Sequence, residues 1–389
     1  MAVHEAPSTG PQRFDLVVTG GLLADPLRPE PFEGDLAVRD GRIAATGAPG
    51  TLDAAAAEER VDATGLLVAP GLIDLHTHVY APRTDLGVPA DTVGIRQGVT
   101  TVVDAGSCGS DHWDDFAENV VSAAGTRVLS WLNISRHGLV HGRTELAGGP
   151  DDIDEAATEK LLREHPDRIR GIKVRMSSSV LGGSGLAPLK AAKRVAARVG
   201  RPVMVHVGNE PPRLGDVLDL LGEGDVVTHA FHGKPGGLFG SEDAARRAVA
   251  RGVRLDVGHG SASLSLDTAE RALAAGFTPY TISTDVHVRN VEGPVHSLVT
   301  TLTKMLALGL TPHQVIRRAT LHPAQVLGME NELGTLRVGG AADLTLLRVV
   351  EGPVTLTDAE GETRTADTRL EAVATVRAGH LHARETPTV

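Results

Sequence analysis

The apolar run Gly71-Leu-Ile-Asp-Leu ends in two histidines separated by one residue, His76 and His78. On extended backbone, alternate side chains point to the same side, so both imidazoles can reach one metal ion. An isolated His-x-His is more often a pair of ordinary polar loop residues. Here four more apolar runs end in metal-compatible groups. Lys173 lies in Gly-Ile-Lys-Val-Arg, His206 in Val-Met-Val-His-Val-Gly, His229 in Asp-Val-Val-Thr-His, and Asp285 in Ile-Ser-Thr-Asp-Val. Imidazole and carboxylate suit Zn, Mn, Fe or Co, with zinc the default.

Positioning these groups requires a scaffold with many strand ends on one rim. After residue 69 the chain alternates short apolar runs with longer Ala-, Leu- and Arg-rich stretches, the rhythm of βα units. Eight runs, at 71–75, 101–104, 128–134, 171–174, 203–206, 226–229, 254–257 and 280–283, predict parallel strands closing into a barrel. Their shortness, Val and Ile content and trailing glycines favour strands over buried helical pieces. Strands one, four, five, six and eight then carry the metal-compatible groups at their carboxyl ends, where barrel active sites lie.

Before this region, 14–19, 35–38 and 42–46 read as antiparallel strands between Gly, Pro and Asp turns, and 334–346 again signals short strands after a helical stretch at 311–327. The fold expected is α/β, a (β/α)8 TIM-like barrel at 70–331 with a small discontinuous β-sandwich domain made of 1–69 and 332–389.

With these residues in place the chain resembles the amidohydrolase superfamily, in its binuclear subtype with a carboxylated lysine. The segments 70–80, 100–106, 171–177, 206–211, 224–233 and 283–287 are most similar to its amidohydrolase/deacetylase branch, close to dihydroorotase-like and D-aminoacylase-like enzymes. The resemblance implies two divalent metal ions: His76, His78 and Asp285 on the more buried one, His206 and His229 on the other, and N6-carboxylated Lys173 bridging both. A protonated lysine would instead be a surface ammonium or a substrate-binding charge, but the apolar strand around Lys173 disfavours the surface. Burial lowers a lysine pKa, giving the neutral amine that combines with carbon dioxide, and cations stabilise the carbamate formed. A metal-bridging hydroxide would attack the substrate, with Asp285 as catalytic acid and base. The other reading of Asp285, beside Ser283 and Thr284, is a capping or turn aspartate.

Arg175 lies two residues beyond Lys173, on the same side of the strand, where a guanidinium could grip a substrate carboxylate. A structural ion pair with a barrel acid is the competing role. His232 and His259 are further substrate-binding candidates, His259 through resemblance to a family loop. His287, Arg136, His137, His141 and Arg143 follow other strands and could line the pocket. The stretch Leu181-Gly-Gly-Ser-Gly185 lacks the Lys-Ser/Thr ending of a phosphate cradle and reads as a flexible loop. No Ser-His-Asp set with a nucleophile elbow is present.

Composition narrows the partners. The formal charge is −11 over 389 residues, which disfavours nucleic acid and anionic membranes and favours a small-molecule substrate. Hydrophobic content of 41% and charged content of 22% are those of a globular protein. Residues 1–14 are too polar for a secretory leader, no run is long enough to span a bilayer, and Cys108 is the sole cysteine, which together fit a cytoplasmic protein. Cys108 itself reads as a small loop or core residue more readily than as a nucleophile. A homo-oligomer is a family-based expectation.

The function expected is deacetylase-like hydrolysis of an amide or ester bond in a small carboxylate-bearing substrate, such as an N-acyl amino acid or O-acetyl hydroxy acid. The alternatives are a cyclic amidase of the dihydroorotase or hydantoinase kind, a non-hydrolytic isomerase or lyase on the same site, and a catalytically silent barrel.

Overall fold

The computed structural model describes residues 13–81 and 83–383. Most of the segment read as too polar for a leader, residues 1–12, lies outside them. Five strands come first: β1 (Arg13–Leu23), β2 (Phe32–Arg39), β3 (Arg42–Gly47), β4 (Ala56–Asp62) and β5 (Leu67–Pro70). Seven follow in the central region: β6 (Leu72–Thr77), β7 (Val99–Ala105), β8 (Arg127–Asn133), β9 (Ile169–Met176), β10 (Val203–Val207), β11 (Val226–Thr228) and β12 (Arg254–Leu255). The last three are β13 (Leu344–Thr357), β14 (Thr363–Arg377) and β15 (His380–Ala383).

Strands β6 to β12 form one parallel sheet in chain order. Their side chains are buried on both faces, which is why they read as continuous apolar runs rather than alternating ones. The eighth predicted strand forms no long ladder. Residues 281–286 instead make single parallel bridges to both edges of the sheet, Thr281 with Asp256 beside β12 and Val286 with Thr77 of β6. Backbone bonds reinforce both sides: Val257 N donates to Thr281 O at 3.2 Å, and Asp285 N donates to His76 O at 2.7 Å. Inside the curl of the sheet, Ile73, Leu75, Val103, Leu129, Trp131, Met204 and Val226 pack on one another and against Ala324, Val326, Leu327 and Leu333. The apolar packing thus fills the sheet interior and leaves the carboxyl ends of the strands to polar groups.

The helical stretch expected at 311–327 is two helices, Pro312–Arg318 and Leu321–Val326. Thr311 and Gln314 form a capping box at the first. Pro323 explains the break, because it has no N–H for the carbonyl four residues earlier. That carbonyl, Ala319 O, accepts from Ile73 N at 2.7 Å and ties the break to β6.

The strands from both ends of the chain join in one mixed sheet of order β15-β14-β13-β5-β1-β2-β3, with β4 beside β1. A continuous hydrogen-bonded path links all these strands, with β13 pairing antiparallel to β5. Side chains of β1 divide between two apolar clusters, Leu16 and Val18 in one and Phe14 and Val17 in the other. The sequence reading placed short strands at 334–346. The structure starts β13 only at Leu344 and runs it with β14 as a long antiparallel hairpin. Its tip, residues 358–362, docks on the central region: Ala359 N donates to Leu264 O at 3.0 Å, and Asp358 Oδ2 accepts from Leu266 N at 2.9 Å. No helix among the described residues is long and apolar enough to cross a membrane.

Candidate metal centre

All six predicted ligands converge at the carboxyl ends of these strands. Asp285 Oδ1 lies 3.2 Å from His76 Nε2 and 3.1 Å from His78 Nε2, and Asp285 Oδ2 lies 3.8 Å from His229 Nε2. Lys173 Nζ is 3.0 Å from His76 Nε2. The His206 and His229 rings are edge to face with centroids 4.4 Å apart. His76, His229 and Asp285 each offer one ligand atom within 4.8 Å of the others.

Hydrogen bonds behind the histidines fix which nitrogen faces inward. The Gly258 carbonyl can only accept, so His229 Nδ1, 2.6 Å away, donates and Nε2 keeps its lone pair. The Thr228 hydroxyl lies 2.8 Å from His76 Nδ1. The Ser107 hydroxyl lies 2.7 Å from His78 Nδ1, and the Ser107 backbone N–H donates to Asp104 Oδ1 at 2.7 Å. The Nε2 atoms of His76, His78 and His229 therefore all face the Asp285 carboxylate.

His229 Nε2 is buried and has no hydrogen-bond partner among the described residues, an orphaned acceptor of the kind a metal ion satisfies. Burial, reinforced by Lys173, holds His76 well below the usual imidazole range, and burial pushes His229 down to about 3 even though the nearby Asp285 opposes it. Burial alone would raise Asp285, but His76, His78 and His229 outweigh it and hold the carboxyl well below its ordinary value. Neutral imidazoles facing an ionised carboxylate are the donor set of a divalent-metal site.

Lys173 is 1% exposed, and burial lowers its amine to about 7, with Asp285 opposing and Arg175 assisting. Gly106, at φ +82°, makes room for it, because a Cβ there would lie 2.8 Å from Lys173 Cβ and Cγ. His229 and Asp285 both occupy left-handed backbone, at φ 65° and 51°, a strain that clusters at functional sites. Asp74 anchors the Asp285 segment to β6 by accepting from Thr284 N at 3.1 Å and from Thr284 Oγ1.

The other candidates fare differently. Arg175 pairs with His206 across the β9 and β10 ladder, but its Nη1 is held 3.1 Å from Glu145 Oε2, a carboxylate in a side chain 1% exposed. The structural ion pair weighed from sequence is therefore present. His232 accepts from Lys234 N at 3.1 Å through Nδ1 and is pushed to about 4 by burial. His259 lies beside the site with both nitrogens committed: Nδ1 donates to Gly260 O at 2.8 Å and Nε2 accepts from Lys304 Nζ at 2.6 Å. It has no nitrogen left for a substrate in this arrangement. His287 faces His78, with ring centroids 6.4 Å apart. Arg136, His137 and His141 cluster around Asp111 and His112 instead. The Cys108 thiol is buried and pushed well above its ordinary value, which fits a core residue rather than a nucleophile.

Thr228, Ser107, Asp104, Asp256, Lys234, Glu145 and Lys304 were not singled out from sequence. Asp104, Thr228 and Asp256 sit at or beside strand ends that the pattern located, so an apolar run closing on a carboxylate or hydroxyl was the available signal. Lys304 carried no such signal, since it lies within an ordinary amphipathic helix, Leu298–Ala307.

Residues 67–373 match the amidohydrolase family. The chain is 38% identical to deacetylase Atu3266 of Agrobacterium fabrum over 328 residues, covering 83% of this chain and 80% of that protein. Two crystal structures, one titled an adenine deaminase and one a dihydroorotase, each superpose with a TM-score of 0.88 at 34% identity, covering 95% of this chain and 100% and 99% of theirs. The chain belongs to the amidohydrolase family, in its branch of deacetylase-like and dihydroorotase-like members, and is a hydrolase acting on C–N bonds.

Proposed function

We propose that the protein is a binuclear-metal deacetylase that cleaves an open-chain amide, or the matching ester, of a small carboxylate-bearing substrate such as an N-acyl amino acid. The observation that carries this reading is the set of buried imidazole nitrogens converging on the Asp285 carboxylate, with His229 Nε2 left without a hydrogen-bond partner among the described residues. Residues 281–286 serve as the eighth strand of a closed barrel spanning 70–331, and the mixed sheet of β1 to β5 with β13 to β15 is the core of the companion β domain.

His76, His78 and Asp285 would hold one divalent ion, His206 and His229 the second, with zinc the default for this donor set. Lys173 would join the two. Its neutral Nζ would attack the carbon of carbon dioxide, an N–C bond forming as one C=O π bond opens and one proton leaving to solvent, and the resulting carbamate would spread one negative charge over two oxygens. The depressed amine makes this addition feasible near neutral pH. When bound, the ions supply Lewis acidity toward a carbonyl and lower the pKa of water toward neutrality.

The chain's own residues do the rest. Asp285, ionised and strained at the mouth of the site, takes the proton of the attacking water and returns it to the departing amine. Thr228 and Ser107, at Nδ1 of His76 and His78, orient these rings so that Nε2 faces inward. Arg175, beside His206 and held by Glu145, borders the substrate pocket together with His232, while His259 shapes it from behind.

The test is turnover of N-acetyl and O-acetyl acids by the purified protein, compared with ring imides. Release of acetate from open-chain substrates, falling about 10²-fold or more in Asp285→Asn, is expected. A second reading, opening of a cyclic amide, is favoured by the likeness to the structure titled a dihydroorotase; turnover of a ring imide alone would select it.

A further inference from the structure

Lys234 is a charged group facing the centre that neither the metal ligands nor the acid-base carboxylate accounts for. It sits in the loop after β11, and its backbone N–H is fixed by His232 Nδ1. Its side chain is half-buried, yet among the described residues its ammonium makes no hydrogen bond or ion pair. Asp285 and Glu360 both act on it electrostatically, against the desolvation that lowers its pKa.

The space around this ammonium is shaped. A methyl group placed on Gly208 would lie 3.8 Å from Lys234 Nζ, 3.6 Å from His206 Nε2 and 3.4 Å from Ser177 Oγ. Lys234 Nζ, Ser177 Oγ and His206 Nε2 thus face one small space in front of Gly208, a hollow bordered by one cation, one hydroxyl and one metal-compatible imidazole. Ser177 Oγ already accepts from Asn209 N at 3.1 Å, which leaves its hydrogen to Ser179 Oγ, 3.2 Å away, or to an acceptor in the hollow. On the far side, the tip of the β13 and β14 hairpin brings Glu360. Its carboxylate lies over Gly233, where a Cβ would come within 2.8 Å of Oε2, and no ion pair with Lys234 forms.

A half-buried ammonium without a partner beside a hydroxyl calls for an anion. Because His206 borders the same hollow, that anion must lie next to the bond being cleaved. An α-carboxylate meets this requirement; one several methylenes away does not. Glu360 opposes a second negative charge at the outer edge.

We propose that Lys234, with Ser177 as second donor, is the receptor for the substrate's α-carboxylate, and that Glu360 restricts this subsite to substrates carrying one negative charge there. This assignment rests on the amide-hydrolase reading above. It makes α-acylamino and α-acyloxy monocarboxylic acids the substrate class.

The experiment separates binding from turnover. Unreactive N-methylsulfonyl amino acids and their primary carboxamides are titrated calorimetrically into the metal-loaded wild type, Lys234→Met, Lys234→Arg and Glu360→Gln, and the N-acetyl counterparts are assayed for hydrolysis. Loss of a charged hydrogen bond predicts about 10- to 100-fold weaker binding of the acids by Lys234→Met, with the carboxamides unchanged. Lys234→Arg should recover part of the loss, and Glu360→Gln should admit the N-methylsulfonyl derivatives of glutamate and aspartate several-fold better. Equal weakening of acids and carboxamides, no change in either, or no binding of any acid by the wild type would overturn the assignment. Binding that depends on Lys234 without hydrolysis of any N-acetyl acid would leave the receptor standing and remove the deacetylase reading.

Discussion

Thr228 Oγ1 lies 2.8 Å from His76 Nδ1, while Nε2 of the same ring lies 3.2 Å from Asp285 Oδ1. One side chain thereby orients a metal-compatible histidine. Thr228→Val removes this hydrogen-bond partner while keeping the volume. Loss of such outer partners costs about 10- to 100-fold in metal affinity. Chelator competition on the two proteins measures this, with Thr228→Ser expected to stay near the wild type.

Two glycines hold space for reacting groups. Gly260 has φ +54°, and a Cβ there would lie 2.6 Å from Asp285 Oδ2. Gly260→Ala combines left-handed strain of about 1–3 kcal/mol with displacement of the carboxylate. Turnover should fall more than tenfold and the melting temperature should drop. Gly106→Ala meets Lys173 instead, so loss of bound metal should be its main effect.

Much of this site was legible in the sequence because its ligands stand at the ends of apolar runs. His76, Lys173, His206, His229 and Asp285 each close a short buried strand or its extension, and a parallel barrel forces such ends to one rim. The hairpin from β13 to β14 was not legible. Its middle is half-exposed on both faces, with Glu351, Gly352 and Pro353 interrupting any alternation. The contribution of Glu360 was hidden for the same reason, since it depends on where that long hairpin docks. Arg175 shows the limit of spacing arguments: alternation correctly put it beside the centre, but only the fold shows Glu145 folding back to hold it.

Glu145 offers a test of that pair. Its carboxylate is buried, and burial raises its pKa while Arg175 opposes the shift. Glu145→Gln would leave the Arg175 guanidinium, 15% exposed, without its counter-charge. Removing one member of a buried pair costs about 3 kcal/mol or somewhat more, so chemical denaturation should show a clear loss of stability.

Lys304 predicts a pH signature. Its ammonium is buried against His259 Nε2 and Pro294 O, and burial lowers it to about 7. From pH 7 to about 10 the unfolded chain holds this proton and the folded chain does not, so stability rises with pH by up to about 1.4 kcal/mol per unit. Lys304→Met lacks this contribution. The stability of the wild type relative to Lys304→Met should therefore increase across that window and be flat below it; a constant difference would contradict the burial of a neutral amine.

The central claim is a two-metal centre that depends on Lys173. Protein grown with added zinc and bicarbonate should contain about two metal ions per chain by plasma mass spectrometry, as a binuclear hydrolase requires, and Lys173→Ala should show a clear loss. Metal content unchanged by the substitution would contradict the bridging role, and no bound metal in either protein would contradict the metal centre itself.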